Sequence, residues 1–145
     1  MKLTAKATIQ IQRPIEEVFE GIVDPEMMSQ YFISESSGRM ETGKEVFWMF
    51  PEFPDRFPVK QIRTEPHHSI SFVWDEETVV QIILEEQSDK STVVRVTEGE
   101  KPFSEENLNW VIGNTEGWAN FLACMKAWLE YGIHLRKGAF DFMKS

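Results

Sequence analysis

An α+β fold, in which a curved antiparallel sheet holds a long C-terminal helix, is predicted by three observations on this sequence of 145 residues. Apolar and polar residues alternate through the first segment, short strand-forming runs separated by turn residues fill positions 33–98, and an apolar stripe at helical spacing follows Pro102. A sheet with one apolar face must cover that face, and the terminal helix is the only long element available to do so. We therefore expect about six to seven strands wrapped on one helix.

The N-terminal strand leads into two short helices. Apolar residues occupy every second position from Leu3 to Ile11, which predicts a strand with one face in water. Pro14 suits the first turn of a helix, and apolar residues recur at helical spacing after it. Asp24-Pro25-Glu26 reads as the N-cap, first position and first-turn acid of a second short helix.

The middle of the chain is typical of an antiparallel meander. Three prolines interrupt residues 51–58, so we predict a loop there. Ile70, Phe72 and Trp74 share one face of a strand. Strict alternation places Gln81 and Arg95 on the outer face of the sheet, which makes them poor buried anchors.

The terminal helix is predicted to begin after Ser104, a good N-cap residue. Gly113-Asn114 is expected to kink or divide it, and Gly132 to end it. The apolar stripe between them consists of Trp118, Phe121, Leu122, Met125, Trp128 and Leu129.

Composition bounds the cellular setting and the partners. The chain fits one domain over residues 1–145. A formal net charge of −9 disfavours nucleic acid and anionic membranes as partners. No apolar run is long enough for a membrane span and no signal peptide is recognisable, so we expect a cytoplasmic protein of undetermined oligomeric state. The single cysteine, Cys124, excludes an internal disulfide and is expected to be a small buried side chain.

No catalytic signature is present, so we assign no catalytic residue, no metal and no cofactor. The chain lacks a GxSxG elbow, an HExxH helix, a P-loop and a GxGxxG turn. His67-His68 is expected to end a turn, and His134 to lie near the end of the last helix. The acidic groups at positions 75–77 and 85–86 are expected to be solvated surface.

Aromatic residues make up 12% of the chain, more than a small core usually needs. Large rings can fill a core or line a cavity, and both interpretations stay open. The candidate ligand-binding residues, which alternation and helical spacing place between sheet and helix, are Trp48, Phe50, Phe72, Trp74, Trp118, Phe121 and Leu122.

Several short motifs resemble the SRPBCC (START/Bet v 1-like) superfamily, and within it the branch named for the activator of Hsp90 ATPase. These motifs are Pro14-Ile15-Glu16-Glu17-Val18-Phe19, Asp24-Pro25-Glu26-Met27-Met28, Pro66 with Ile70-Ser71-Phe72-Val73-Trp74, and Glu116-Gly117-Trp118 with Leu122 and Lys126. The resemblance implies the helix-grip fold, with a cavity between sheet and terminal helix that binds hydrophobic small molecules in some members. Tyr31 and Phe32 stand where that branch often has Trp, and we expect them, with the proline-rich loop, to reshape the cavity mouth.

Three functions stay open at this stage. The first is non-catalytic binding of a hydrophobic or amphipathic small molecule, such as a lipid, in a cavity between sheet and helix. The second is a protein partner, bound as a chaperone cofactor would bind it, with Phe53 and Phe57 as the first candidates for an exposed patch. The third is an enzyme such as a cyclase or hydratase, for which the sequence offers no obvious buried ionisable group.

Overall fold

The element order matches the order of the sequence patterns. The computed structural model describes residues 1–74 and 78–144. The strands are β1 (Lys2–Ile11), β2 (Glu35–Ser36), β3 (Val46–Met49), β4 (Phe57–Glu65), β5 (Ser69–Trp74), β6 (Thr78–Glu86) and β7 (Thr92–Pro102). The helices are α1 (Ile15–Val23), α2 (Pro25–Met28) and α3 (Glu105–Tyr131), with a 3-10 turn at Asp141–Met143.

The seven strands form one antiparallel sheet in the order β1-β7-β6-β5-β4-β3-β2. Strands β2 to β7 therefore pair in sequence order, while β1 pairs with the last strand, β7. Gln61 has a left-handed backbone (φ 51°) at the point where the register between β4 and β5 shifts, so a bulge bends β4. The predicted α+β helix-grip fold, including two short helices after the first strand, is confirmed.

The C-terminal half of α3 covers the inner face of the sheet. Trp118, Phe121, Leu122, Met125 and Leu129 are buried, and Trp128 packs half-buried against the same core. The stripe is therefore confirmed over its length.

Hydrogen bonds and caps fix the ends of α3. The Lys126 ammonium donates to the Gln10 carbonyl of β1 at 2.8 Å, and the Arg13 guanidinium donates to the Leu129 carbonyl at 3.0 Å. Ser104 accepts a hydrogen bond from the Asn107 amide at 3.0 Å, and Gly132 ends the helix with φ 65°.

Two details of the prediction are wrong. The helix is continuous through Gly113-Asn114, because the glycine has the backbone groups needed for the helical hydrogen bonds and costs only about 1 kcal/mol relative to alanine. The loop after β3 ends at residue 56 rather than 58, because Phe57 and Pro58 already pair with β3. Phe57 is consequently half-buried and is not an exposed loop residue.

The polar residues singled out in the sequence lie mostly at the surface. Gln81 and Arg95 are exposed on the outer face, as predicted. His67 and His68 lie in the turn that follows Glu65, and His67 packs edge-on against Phe19. Glu85 and Glu86 are exposed, whereas the acidic group at positions 75–77 lies outside the described residues.

Candidate ligand-binding cleft

The seven residues predicted to bind a ligand lie together between the sheet and α3. Trp48, Phe72, Phe121 and Leu122 are at most 2% exposed and belong to the core. Trp118 is 5% exposed, while Phe50 and Trp74 are half-buried at its edge. Of the set, Phe50 and Phe121 line an open cleft, and Trp74 and Trp118 line a smaller cavity beside it.

Phe32, which was not among the predicted site residues, is the ring that joins them. Its centroid lies 4.7 Å from that of Phe121, 5.1 Å from Phe50 and 5.6 Å from Trp48. The side chain borders both the cleft and the smaller cavity. The expectation that the Tyr31-Phe32 pair reshapes the cavity mouth therefore applies to Phe32. Tyr31 is buried instead and donates its hydroxyl to the Gly21 carbonyl at 2.9 Å.

The cleft has a volume of about 290 Å³ and three walls. One wall is the face of α3 that carries Gly117, Asn120, Phe121 and Cys124. The second is the loop between β3 and β4 with its flanking residues, and the third is the segment that follows α3. Aromatic side chains from the three walls and from the segment after α2 face the space: Phe32, Phe50, Phe53, Phe57, Phe121 and Phe140. The walls are therefore mainly apolar.

The third wall is held in place by a buried ion pair. Arg136 donates from both terminal nitrogens to Glu52 across the loop, at 2.8 and 3.0 Å. The two side chains are only 14% and 3% exposed. The guanidinium also lies over the rings of Phe50 and Phe140, at 5.6 and 5.0 Å from their centroids. The pair closes one end of the cleft with a fixed, charge-balanced group.

His134 anchors the start of the same segment. Its ring stacks on Trp128 with centroids 4.9 Å apart, and Nδ1 lies 3.0 Å from the Gln30 carbonyl oxygen. The prediction placed His134 near the end of the last helix, and it lies just beyond Gly132, where α3 ends.

Cys124 lies on the floor of the cleft. It is buried, as predicted, and burial raises the pKa of its thiol, partly offset by the positive charge of Arg136. Because the thiolate is the reactive form of cysteine, the raised pKa makes this side chain a weak nucleophile. Its contribution to the cleft is an apolar, polarisable surface.

Glu98 is the buried acid that the sequence interpretation missed. It lies on β7 opposite Val80 and is 0% exposed. Oε1 accepts hydrogen bonds from Asn114 Nδ2 at 2.7 Å and from Trp118 Nε1 at 2.9 Å, and Oε2 accepts from the Thr78 hydroxyl. The carboxyl group thereby ties α3 to two strands. Alternation was the available signal, because Glu98 continues the buried face of Val94 and Val96.

A second cavity of about 180 Å³ lies against Glu98. Phe32, Trp74 and Trp118 line it with their rings, and Gly113, Asn114 and Gly117 line it from α3. A Cβ atom added at either glycine would meet no atom within 4 Å, so both positions leave open space on the helix surface. We call this space, which is open to solvent, the inner cavity; it shares Phe32 and Gly117 with the cleft.

The profile of the family described as "Activator of Hsp90 ATPase homolog 1-like protein" matches residues 12–130. The chain belongs to this family. The match spans α1 through nearly all of α3, so it includes two walls of the cleft but not the segment after α3 that forms the third. No curated protein matches the chain in sequence.

Solved structures of similar proteins agree with this assignment. Protein SSP2350 from Staphylococcus saprophyticus is 33% identical, with a TM-score of 0.82 over 92% of this chain and 96% of that one. The Aha1 dimer from Colwellia psychrerythraea (17% identity, TM-score 0.76) matches over 90% and 98% of the two chains. Protein MLL2253 from Mesorhizobium loti is 17% identical, with a TM-score of 0.75 over 88% of this chain and 97% of that one. The last two likenesses support the fold alone.

Two further findings concern the described residues. No helix in the ranges 1–74 and 78–144 is long and apolar enough to cross a membrane. Within the same ranges, no three His, Cys, Asp or Glu side chains are grouped so that they could hold a metal ion.

Proposed function

We propose that this member of the Hsp90 ATPase activator-like family binds a hydrophobic or amphipathic small molecule in the cleft, without catalysing its conversion. The observation that carries the proposal is the aromatic lining of the cleft, which comes from four separate parts of the chain, together with one ion pair. Small-molecule sites typically combine apolar walls with a few fixed polar groups in this way. A volume of about 290 Å³ suits a compact ligand or the apolar part of a longer one.

We propose binding without catalysis because the polar groups at the site already have partners within the protein. Glu52 and Arg136 neutralise each other, and the Glu98 carboxylate accepts hydrogen bonds from three side chains. The Cys124 thiol is held in its unreactive form by a raised pKa. None of these groups is poised as a free general base or nucleophile, which is what the cyclase or hydratase alternative requires.

Native mass spectrometry of freshly purified protein, combined with organic extraction, tests this proposal. We expect a non-covalent adduct on the wild-type chain and its loss in Gly117→Leu, since the added side chain would enter the open space shared by cleft and inner cavity. Glu116→Leu adds the same side chain one position away, where the residue is exposed, and should keep the adduct. A wild-type chain that reproducibly carries no small molecule would contradict the proposal.

A second candidate function, a chaperone-cofactor-like interaction with Hsp90, is favoured by a different surface. None of residues 105–117 of α3 is buried, although large apolar side chains occur in this segment and just before it. Phe103 is 56% exposed, Leu108 39% and Ile112 59%. Leu108 and Ile112 are four residues apart and so share one helix face. This face, rather than Phe53 and Phe57, which line the cleft, is the stronger candidate for a protein contact.

The Hsp90 hypothesis predicts that adding the chain raises the rate of ATP hydrolysis by Hsp90. Replacing Leu108 and Ile112 together by Glu should abolish the increase, because charges cannot be buried in an apolar contact without a partner. Replacing Val79 and Ile83 together by Glu is the matched control, because both are exposed apolar residues on the outer face of the sheet. An unchanged hydrolysis rate at saturating wild-type chain would rule this function out.

A further inference from the structure

Glu98 combines complete burial with partners that carry no charge. Its three hydrogen-bond partners within the described part of the chain are the side chains of Thr78, Asn114 and Trp118. Buried carboxylates are normally paired with a cation or a metal, because removing a charge from water is costly. All three partners donate, which suits a deprotonated carboxylate, the acceptor-only form of this side chain. Among the residues that the structure describes, the arrangement provides hydrogen bonds for a negative charge but no counter-charge.

The inner cavity lies where such a counter-charge would fit. It borders Glu98 directly, and its other walls include the rings of Phe32, Trp74 and Trp118. Aromatic faces attract cations. Asn114 is half-buried and lines the same cavity, so its amide is the partner that an incoming donor would replace.

Where α3 borders the inner cavity, two of its residues are glycines and have no side chain. Gly113 and Gly117 are four residues apart on α3, and neither has a positive φ or a close neighbour that demands glycine. Glycine inside a helix is less stable than alanine, so nothing in the local packing accounts for either residue. Their common effect is to leave room beside Glu98.

We propose that the inner cavity binds the ammonium group of an amphipathic amine, with Glu98 as its counter-ion. This inference rests on the proposed function, since the apolar part of the same ligand would lie in the cleft. The two spaces are adjacent, because Phe32 and Gly117 border both of them.

The test compares three probes that share an eight-carbon chain: octylammonium, octanol and octanoate. Isothermal titration calorimetry should give octylammonium an affinity at least about tenfold above that of octanol, with octanoate the weakest, as expected for one buried ion pair. Glu98→Gln keeps the shape of the side chain and removes its charge. The Glu98→Gln variant should bind octylammonium no more tightly than it binds octanol.

The net charge of −9 attracts any cation, so a charge control is needed. Glu106→Gln removes the same charge from the exposed first turn of α3 and should keep the preference for octylammonium. An equal loss in both variants would overturn the inference. So would equal affinities of the wild-type chain for all three probes, although that result would still support apolar binding in the cleft. Failure of all three probes to bind would contradict the proposed function as well.

Gly113→Ala distinguishes the inner cavity from the cleft, because Gly113 lines only the former. The added methyl group should raise the Tm by about 3 °C through helix propensity. It should also lower the affinity for octylammonium severalfold while leaving that for octanol unchanged. A more stable variant that binds octylammonium as the wild-type chain does would show that the ammonium group does not enter the inner cavity.

Discussion

At the scale of single residues, Trp118 has two separable roles. Its ring belongs to the buried stripe of α3, and its Nε1 donates to Glu98 across the interior at 2.9 Å. The sequence predicted the first role, because the residue falls on the helical stripe. The second was not predicted, because it depends on a residue 20 positions away whose orientation only the folded sheet fixes.

Substitution of Trp118 separates these roles. Trp118→Ala should cost about 3–5 kcal/mol in the free energy of unfolding, as for other large buried aromatic residues. Trp118→Phe keeps most of the apolar surface and removes the donor, so it should cost about 1–3 kcal/mol. Urea denaturation followed by circular dichroism measures both changes.

Trp110→Phe is the matched control for this pair. The indole nitrogen of Trp110 is buried without a hydrogen-bond partner in the described structure, so its removal should cost little. If Trp118→Ala changed the stability by less than about 1 kcal/mol, the assignment of the inward helix face would be wrong.

At the scale of elements, the segment after α3 is the part that sequence reasoning could not place. Residues 132–144 show no periodicity, and their position depends on contacts with distant residues. Arg136 reaches Glu52 across 84 positions, and His134 lies against Gln30 across 104. Long helices and alternating strands could be predicted because their patterns are local, whereas this wall of the cleft has no local signal.

Arg136→Ala should weaken the attachment of residues 133–144 to the rest of the protein. Loss of one partner leaves Glu52 as a buried, unpaired charge, so the local structure should open more readily. We expect amide hydrogen exchange in residues 133–144 to accelerate by about tenfold or more, while the protection of β5 to β7 stays unchanged.

Lys144→Ala provides the control within the same segment. Lys144 pairs with Asp141, but both side chains are more than half exposed, and exposed pairs contribute little to stability. Exchange should therefore change far less than in Arg136→Ala. Equal exchange in wild type and Arg136→Ala would show that the ion pair does not hold this wall.

At the scale of the whole molecule, the fold was predictable and the site only in part. Alternation, capping residues and the stripe on α3 predicted the element order and placed the seven candidate site residues between the sheet and α3, where the structure has them. That they bind a ligand stays a prediction. Phe32 and Glu98 were not among the predicted ligand-binding residues. The place of Phe32 beside Phe50 and Phe121 depends on contacts between distant parts of the chain, which no local pattern encodes. Glu98 shares the alternation of the buried Val94 and Val96, but Glu is almost never fully buried unless it is paired, so alternation alone does not predict its burial.

The strand order has a consequence for how the chain is made. Strands β2 to β7 can pair with their sequence neighbours as each leaves the ribosome, but β1 pairs only with β7. The residues of β1 must therefore wait, with their apolar side chains uncovered, until about 90 further residues have emerged. Bringing β1 to β7 closes a long loop, which costs more chain entropy than the pairing of strands that are neighbours in sequence. The pairing of β1 with β7 can therefore form only after β7 has been synthesised, so the time needed for synthesis delays the completion of the sheet.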